Sequence, residues 1–146
     1  MIDMRIKHLF FDRQTVLRAV DKAKRLALSK AGAFIRTTAK HSIRTRKGSA
    51  PPGKPPHSHT GLLKRFIFFG YDPGTESVVV GPARINRTTD APHTLEFGGT
   101  TAVERRRKGK VRARKVRIAP RPFMGPALEK ERPNLPKPWA NSVRGG

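Results

Sequence analysis

Three features of this 146-residue chain predict an α+β fold. A stretch of about thirty residues free of proline carries apolar side chains at helical spacing. Two apolar runs separated by a Pro-Gly turn read as an antiparallel hairpin. A short helical signal opened by a proline lies near the C-terminus. The length suits a single domain, residues 1–146, with a modest core.

Taken in order, residues 4–11 alternate and then turn apolar, which predicts a short strand or an extended lead-in. Asp12 is a plausible N-cap with Thr15 three residues on. From Arg13 to about Arg44 the only breaker is Gly32, where a bend is possible. Val16, Val20, Ala23, Ala27, Ala31, Phe34 and Thr38 form the apolar stripe of one long amphipathic helix. The small alanines predict close approach to a sheet or another helix. Lys22, Lys24, Arg25, Lys30, Arg36 and Lys40 fill the rest of the circumference, read mainly as a solvated face.

Residues 44–59 hold four prolines, two glycines and the cations Arg44, Arg46, Lys47 and Lys54. That composition predicts an unpacked loop or arm. Residues 62–69 form an apolar strand, Tyr71-Asp72-Pro73-Gly74 a turn, and residues 76–80 a second strand ended by Gly81-Pro82. Residues 94–97 form a short strand or a helical turn, closed by Gly98-Gly99. In residues 101–118 Val111 and Ala113 alternate with cations, and the segment reads as a basic β-ribbon turning near Lys108-Gly109-Lys110. Its nine cations are Arg105, Arg106, Arg107, Lys108, Lys110, Arg112, Arg114, Lys115 and Arg117. A short helix follows at 126–131. Pro133, Pro136 and Pro138 break up a C-terminal arm, 132–146, in which residues 139–143 can add one more turn. The helix stripe (Val16, Val20, Phe34), the strand 63–69 and Val78–Val80 are the expected core. Both basic segments are expected outside it.

Lys and Arg outnumber Asp and Glu by 32 to 10, a formal charge of +22, and only 36% of residues are hydrophobic. Self-repulsion on that scale works against a compact isolated chain and points to a polyanionic partner. Cysteine is absent, which excludes disulfides, Cys-based zinc sites and thiol catalysis. No apolar run reaches the roughly 18 residues of a membrane span. The N-terminus lacks the apolar core of a signal peptide, so a cytoplasmic site of synthesis is expected.

Catalytic chemistry finds no constellation. His57-Ser58-His59 lies in the Pro-rich loop, where nothing predicts triad geometry. The same histidines lack the further ligands of a metal site, and the acids are scattered singly. Gly48 and Gly53-Lys54 have the spacing of a phosphate-binding loop, but Pro55-Pro56 remove the hydroxyl ligand and the helix start. No catalytic, cofactor or metal residue is assigned. The ribbon and the basic loop are the candidate contact sites, for phosphate or for an acidic neighbour. Aromatic residues are sparse near the ribbon, which argues against single-strand base stacking. No base-reading helix is evident, which argues against sequence specificity.

Four pieces occur in fixed order: HTGLLKR at 59–65, VGPA at 80–83, TLEFGGT at 94–100 and APRPFMGPAL at 119–128. Together they resemble the phage minor-tail and tail-completion family, related to the neck proteins of long-tailed phages. The resemblance spans about residues 12–130. It rests on Thr60, Gly61, Leu63, Gly81, Pro82, Glu96, Phe97, Gly98, Arg121, Pro122, Phe123, Pro126 and Ala127. No single piece is specific; their order and spacing are. The departures are Gly99 inserted before Thr100 and the unusually basic 101–118.

The resemblance implies a long N-terminal helix packed on an antiparallel sheet, with a second, short C-terminal helix and extended basic loops. It further implies a non-enzymatic structural subunit, needing no cofactor, of a homo-oligomeric ring expected to be hexameric. Its neighbours would be head-closure or connector proteins on one side and tail-terminator or tail-tube proteins on the other. Duplex DNA would pass through the lumen without sequence-specific contact. The protein would reside in the virion neck or tail, assembled in the host cytoplasm. Charge alone allows an alternative, a basic nucleic-acid-binding module like a ribosomal protein, which leaves the ordered motif set unexplained. Among the motif residues, Gly61 and Gly81 suit unusual backbone angles. Glu96 is a candidate ion-pair partner of Arg121, and Phe123 a plug for the core or a neighbour.

Overall fold

The computed structural model describes residues 12–83 and 90–143. The expected lead-in at 4–11 lies outside them. Helix α1 spans Arg13–Ser42. Asp12 caps it as expected, its carboxylate accepting the Thr15 amide at 3.1 Å, which satisfies one of the helix's orphan donors. A helical turn α2 (Leu62–Arg65), strands β1 (Ile67–Asp72) and β2 (Ser77–Pro82), and helix α3 (Ala91–Phe97) follow. Strands β3 (Gly99–Arg107) and β4 (Lys110–Ile118) precede helix α4 (Met124–Glu131) and two single 3-10 turns, Arg132–Asn134 and Lys137–Trp139. The fold is thus mixed helix and sheet. Its strands form two separate antiparallel pairs, β1–β2 and β3–β4.

Apart from Gly32, buried residues on α1 fall every fourth position: Ala23, Ala27, Ala31, Ile35 and Ala39, continued by Ile43 beyond the helix end. The expected stripe is correct at Ala23, Ala27 and Ala31 and then shifts by one residue. Ile35 faces the core, whereas Phe34 is 44% exposed. Val16 and Val20 are also largely exposed, because the first turns of the helix extend past the core. The core proper joins Ile35, Ala39 and Ile43 to Leu63, Ile67, Phe123 and Ala127, with Val80, Leu95, Met124 and Leu135 packed around it.

The expected strand at 62–69 is helical in its first half. Gly61 adopts a left-handed φ of 74°, which lets the chain close one turn and bury Leu63 before extending at Ile67. The second strand starts at Ser77 and runs on through Gly81 and Pro82 rather than stopping before them. Gly81 is not among the positive-φ glycines, so the unusual angle expected there is not needed. Residues 94–97 resolve as the end of a helix. Beyond the second 3-10 turn the expected further turn does form, not as helix but as a hydrogen-bonded turn in which the Ser142 amide donates to the Trp139 carbonyl at 3.2 Å and Asn141 has a φ of 56°.

The β1–β2 pair lies across α1 at Gly32. A Cβ there would meet Val78 Cγ2 at 2.6 Å and Phe69 Cδ2 at 2.9 Å. This glycine therefore marks the close approach that the small-residue stripe predicts. Three cations of α1 make contacts within the fold. Lys24 pairs with Glu76 at 2.7 Å, Arg25 lies over the Tyr71 ring, and Arg36 donates to the Ile67 carbonyl at 2.8 Å. The hydrogen bond from Lys24 to Glu76 raises the lysine above its ordinary range. On the other side, Thr38 donates to Glu131 at 2.5 Å and ties α1 to α4.

Among the described residues, seven buried side chains make up the core cluster. The core is small for the length, and polar ties between elements carry weight that a larger core would otherwise carry.

Replacing Gly32 by Ala should destabilise the chain by about 1–3 kcal/mol despite alanine's higher helix propensity, because Val78 and Phe69 would have to move. Denaturant midpoints measure this directly, and a neutral or stabilising result would show that the contact yields. Glu131 supplies a pH-dependent prediction. Its bonds from Thr38 and then Asn134 hold the carboxyl below its ordinary value of 4.5. A depressed acid contributes stability at neutral pH and loses it as the pH falls below that value through the folded one. The stability gap between the native chain and Thr38→Val should therefore be widest near neutrality and narrow as the pH falls below 4.5.

Candidate functional site

Two of the four motif pieces, far apart in sequence, meet around one carboxylate. Glu96 Oε2 accepts the amides of Phe123 and Met124 at 2.8 and 3.0 Å, and Oε1 accepts that of Gly125 at 2.8 Å. These are the first N–H groups of α4, whose own cap residue, Phe123, offers no side-chain acceptor. A negative charge at a helix N-terminus is favourable, and three otherwise orphaned donors are satisfied at once. The expected pairing of Glu96 with Arg121 is not formed. Arg121 instead donates to the carbonyls of Ala50 at 2.7 Å and Ala119 at 3.2 Å, while its amide bonds Leu95 at 2.6 Å. Among ten acids in a chain of charge +22, this one is committed to backbone amides.

Phe123 is fully buried beside Leu63 and Ala127, so it plugs the chain's own core. Pro122 precedes it, half-buried, and Pro126 lies on the exposed side of α4's first turn. Gly98 and Gly99 have φ of 76° and 137°. A Cβ on Gly98 would sit 3.0 Å from Pro120 Cδ. The double glycine turns the chain sharply from α3 into β3 against the 119–121 segment, which gives the extra Gly99 a physical role. Phe97, by contrast, is 70% exposed, with the His93 ring against it at 4.9 Å.

The basic loop at 44–59 is more ordered than its composition predicts. Ala50, Pro56 and Ser58 are buried. The Ser58 amide bonds the Arg44 carbonyl, and the Gly53 amide bonds that of Pro120, both at 2.9 Å. Arg121 completes this clamp through Ala50. Arg44, Arg46, Lys47 and Lys54 remain exposed on its outer side, and Thr60 is exposed just beyond it.

The ribbon is a regular nine-pair hairpin closed by Lys108-Gly109. Both turn residues have positive φ, 50° and 74°, the backbone of a type I′ turn. Residues 102–115 are all exposed, while Thr101, Val116 and Ile118 at the base are half-buried. The nine cations therefore stand away from the core, and the ribbon is anchored only where it leaves the Glu96 node. The two segments are not merged into one surface patch by any hydrogen bond or ion pair among the described residues.

Among the described residues no cluster of three or more His, Cys, Asp or Glu could hold a metal. His57 bridges to Arg44 with its Nδ1 enclosed and unpartnered, and Ser58 is tied through its backbone. An apolar groove of about 580 Å3 runs beside the node between Val80, Pro92, Phe97, Met124 and Leu128. Its polar members are Asp90, His93 and Glu96, and the last is already committed to α4. Comparisons with protein-family models, with curated proteins and with solved structures found no match.

The signal for the node was present in the sequence. A proline in the first turn of a predicted helix, with no Ser, Thr, Asp or Asn before it, leaves amides in need of a remote acceptor. Glu96 and Glu104 were the nearest acids upstream. Glu96→Ala should destabilise the chain by about 1–3 kcal/mol through three unsatisfied amides, and Glu96→Gln by less. Amide hydrogen exchange at residues 123–125 should quicken in both variants; unchanged protection would show that the carboxylate is dispensable.

Proposed function

We propose that the chain is a non-enzymatic structural subunit of the neck of a tailed phage. It would join the DNA-filled head to the tail as a member of a ring through which DNA passes. The observation that carries the reading is the meeting of the four motif pieces at one small core, through Leu63, Val80, Leu95 and Phe123. Leu63 and Phe123 share the core, Val80 packs against it, and Glu96 holds the start of α4. Their ordered recurrence in a sequence is then explained as one folding unit, a helix-and-hairpin body that presents an exposed ribbon.

In this reading the ring is homo-oligomeric, with six the expected number. Its neighbours are a head-closure or connector protein and a tail-terminator or tail-tube protein. The charge supports protein neighbours as well as DNA. A sixfold ring would carry six times +22, whereas about 50 Å of duplex presents roughly 30 phosphates. Most cations therefore need acidic partners other than lumen DNA. The exposed loop cations Arg44, Arg46, Lys47 and Lys54 are suited to such contacts between proteins. A basic nucleic-acid-binding module is the second reading, favoured by the ribbon alone.

An image of the particle with this chain located should place it between head and tail. Loss of the chain should leave filled heads and finished tails unjoined. Joined, infectious particles made without it, or its location in the capsid shell or tail tip, would remove the proposal.

A further inference from the structure

The register of the ribbon sorts its cations onto two unequal faces. Residues directly opposite each other share a face. Arg105 opposes Arg112 and Arg107 opposes Lys110, while Arg114 opposes Val103 on the same side. That face carries five cations toward its tip and no acid. The other face carries Arg106, Lys115 and Arg117 with Glu104, and places Val111 and Ala113 between them.

We propose that the five-cation face of the ribbon is a docking surface for the phosphate backbone of duplex nucleic acid, and that the opposite face takes no part in that contact. Like charges directly opposite in a ladder destabilise it, and two such pairs stand side by side here. Among the described residues none of the five has an ion-pair partner. A free ribbon holds these charges together at a cost that a bound polyanion removes.

Several features favour a duplex over other polyanions. Successive residues on one face rise about 6.6 Å, close to the rise of two nucleotides of one strand, about 6.8 Å. A two-stranded ribbon is narrow enough to follow a duplex groove, from which arginine side chains reach the phosphates of its walls. The segment 99–118 holds no aromatic residue, so it offers no stacking platform for single-stranded bases. An acidic protein interface would centre on apolar or aromatic anchors, and the tip half of this face has none.

This assignment names the ribbon's partner and rests on the neck reading for its biological setting. Its test needs only the isolated full chain and a duplex, so each can fail without the other. Two triple variants remove equal charge: Arg105→Gln with Arg112→Gln and Arg114→Gln, and Arg106→Gln with Lys115→Gln and Arg117→Gln. Binding of each to a random-sequence duplex would be followed by fluorescence anisotropy over a range of salt.

The first triple should reduce the steepness of log K against log salt by roughly 2.7, at about 0.9 for each lost phosphate contact. It should also weaken low-salt binding at least about tenfold. The second triple should leave the steepness nearly unchanged. Because the first triple removes the like-charge pair Arg105–Arg112, its thermal midpoint should not fall, which separates lost binding from unfolding. Equal losses in the two variants would mean diffuse attraction and overturn the face assignment. Stronger binding to polyglutamate than to the duplex would assign the face to an acidic protein instead. Base-specific binding that survives several hundred millimolar salt would overturn backbone docking and favour the basic-module reading.

Discussion

The arrangement depends on a carboxylate that accepts three backbone amides. Glu96 fixes where α4 begins, and the start of α4 is where Phe123 enters the core. Without that anchor the C-terminal helix has a few apolar contacts and the Thr38–Glu131 tie to α1. The same short region clamps the basic loop through Arg121 and Pro120 and turns the chain into the ribbon through Gly98 and Gly99. A chain with few apolar residues cannot rely on area alone. Here the elements are placed by a small core plus a set of directed polar bonds that each join two segments distant in sequence.

Charge is the opposing constraint. Some cations find a counter-charge within the fold, as Lys24 does at Glu76. Elsewhere cations crowd one another. Burial, and then the neighbouring Arg36 and Lys64, lower the ammonium of Lys40 below its ordinary range. The ribbon concentrates the remainder in the part of the molecule least able to compensate it, a two-stranded hairpin of the kind that is marginal in isolation. Its I′ turn and half-buried base define its shape, while its charges favour any arrangement that brings a counter-charge.

Much of this architecture was legible from local patterns. The Asp12 cap, the long helix, the Lys108-Gly109 turn and the helix after Phe123 each follow from residues adjacent in sequence. The errors arise where tertiary geometry decides. Ile35 and Phe34 are both apolar and one helical step apart, so only the position of β1 selects between them. Residues 62–65 look like a strand by composition, yet the left-handed Gly61 and burial of Leu63 favour a turn of helix. The Pro-rich loop looked unpacked because its anchors, the carbonyls of Ala50 and Pro120, are backbone atoms with no side-chain signature. Glu96 was singled out correctly but paired with the wrong donor. A basic chain makes an arginine partner the natural guess, whereas three amides at an uncapped helix start offer more bonds in one place.

The node and the ribbon are mechanically linked, and this gives the polar latch its significance for the proposed neck role. A nine-residue hairpin is about 30 Å long, so a tilt of about 10° at Gly98-Gly99 would carry its tip about 5 Å. That displacement is close to the spacing between neighbouring strands of a sheet, enough to take an arginine out of reach of one anion and toward the next. Glycines at both hinge positions permit such a tilt; the contact of Gly98 with Pro120 and the bond from Arg121 to Leu95 resist it. Residues outside the ribbon thereby bear on where its cations point. In a ring, where every copy must present its ribbon alike, the same latch repeated in each subunit would keep the set in register.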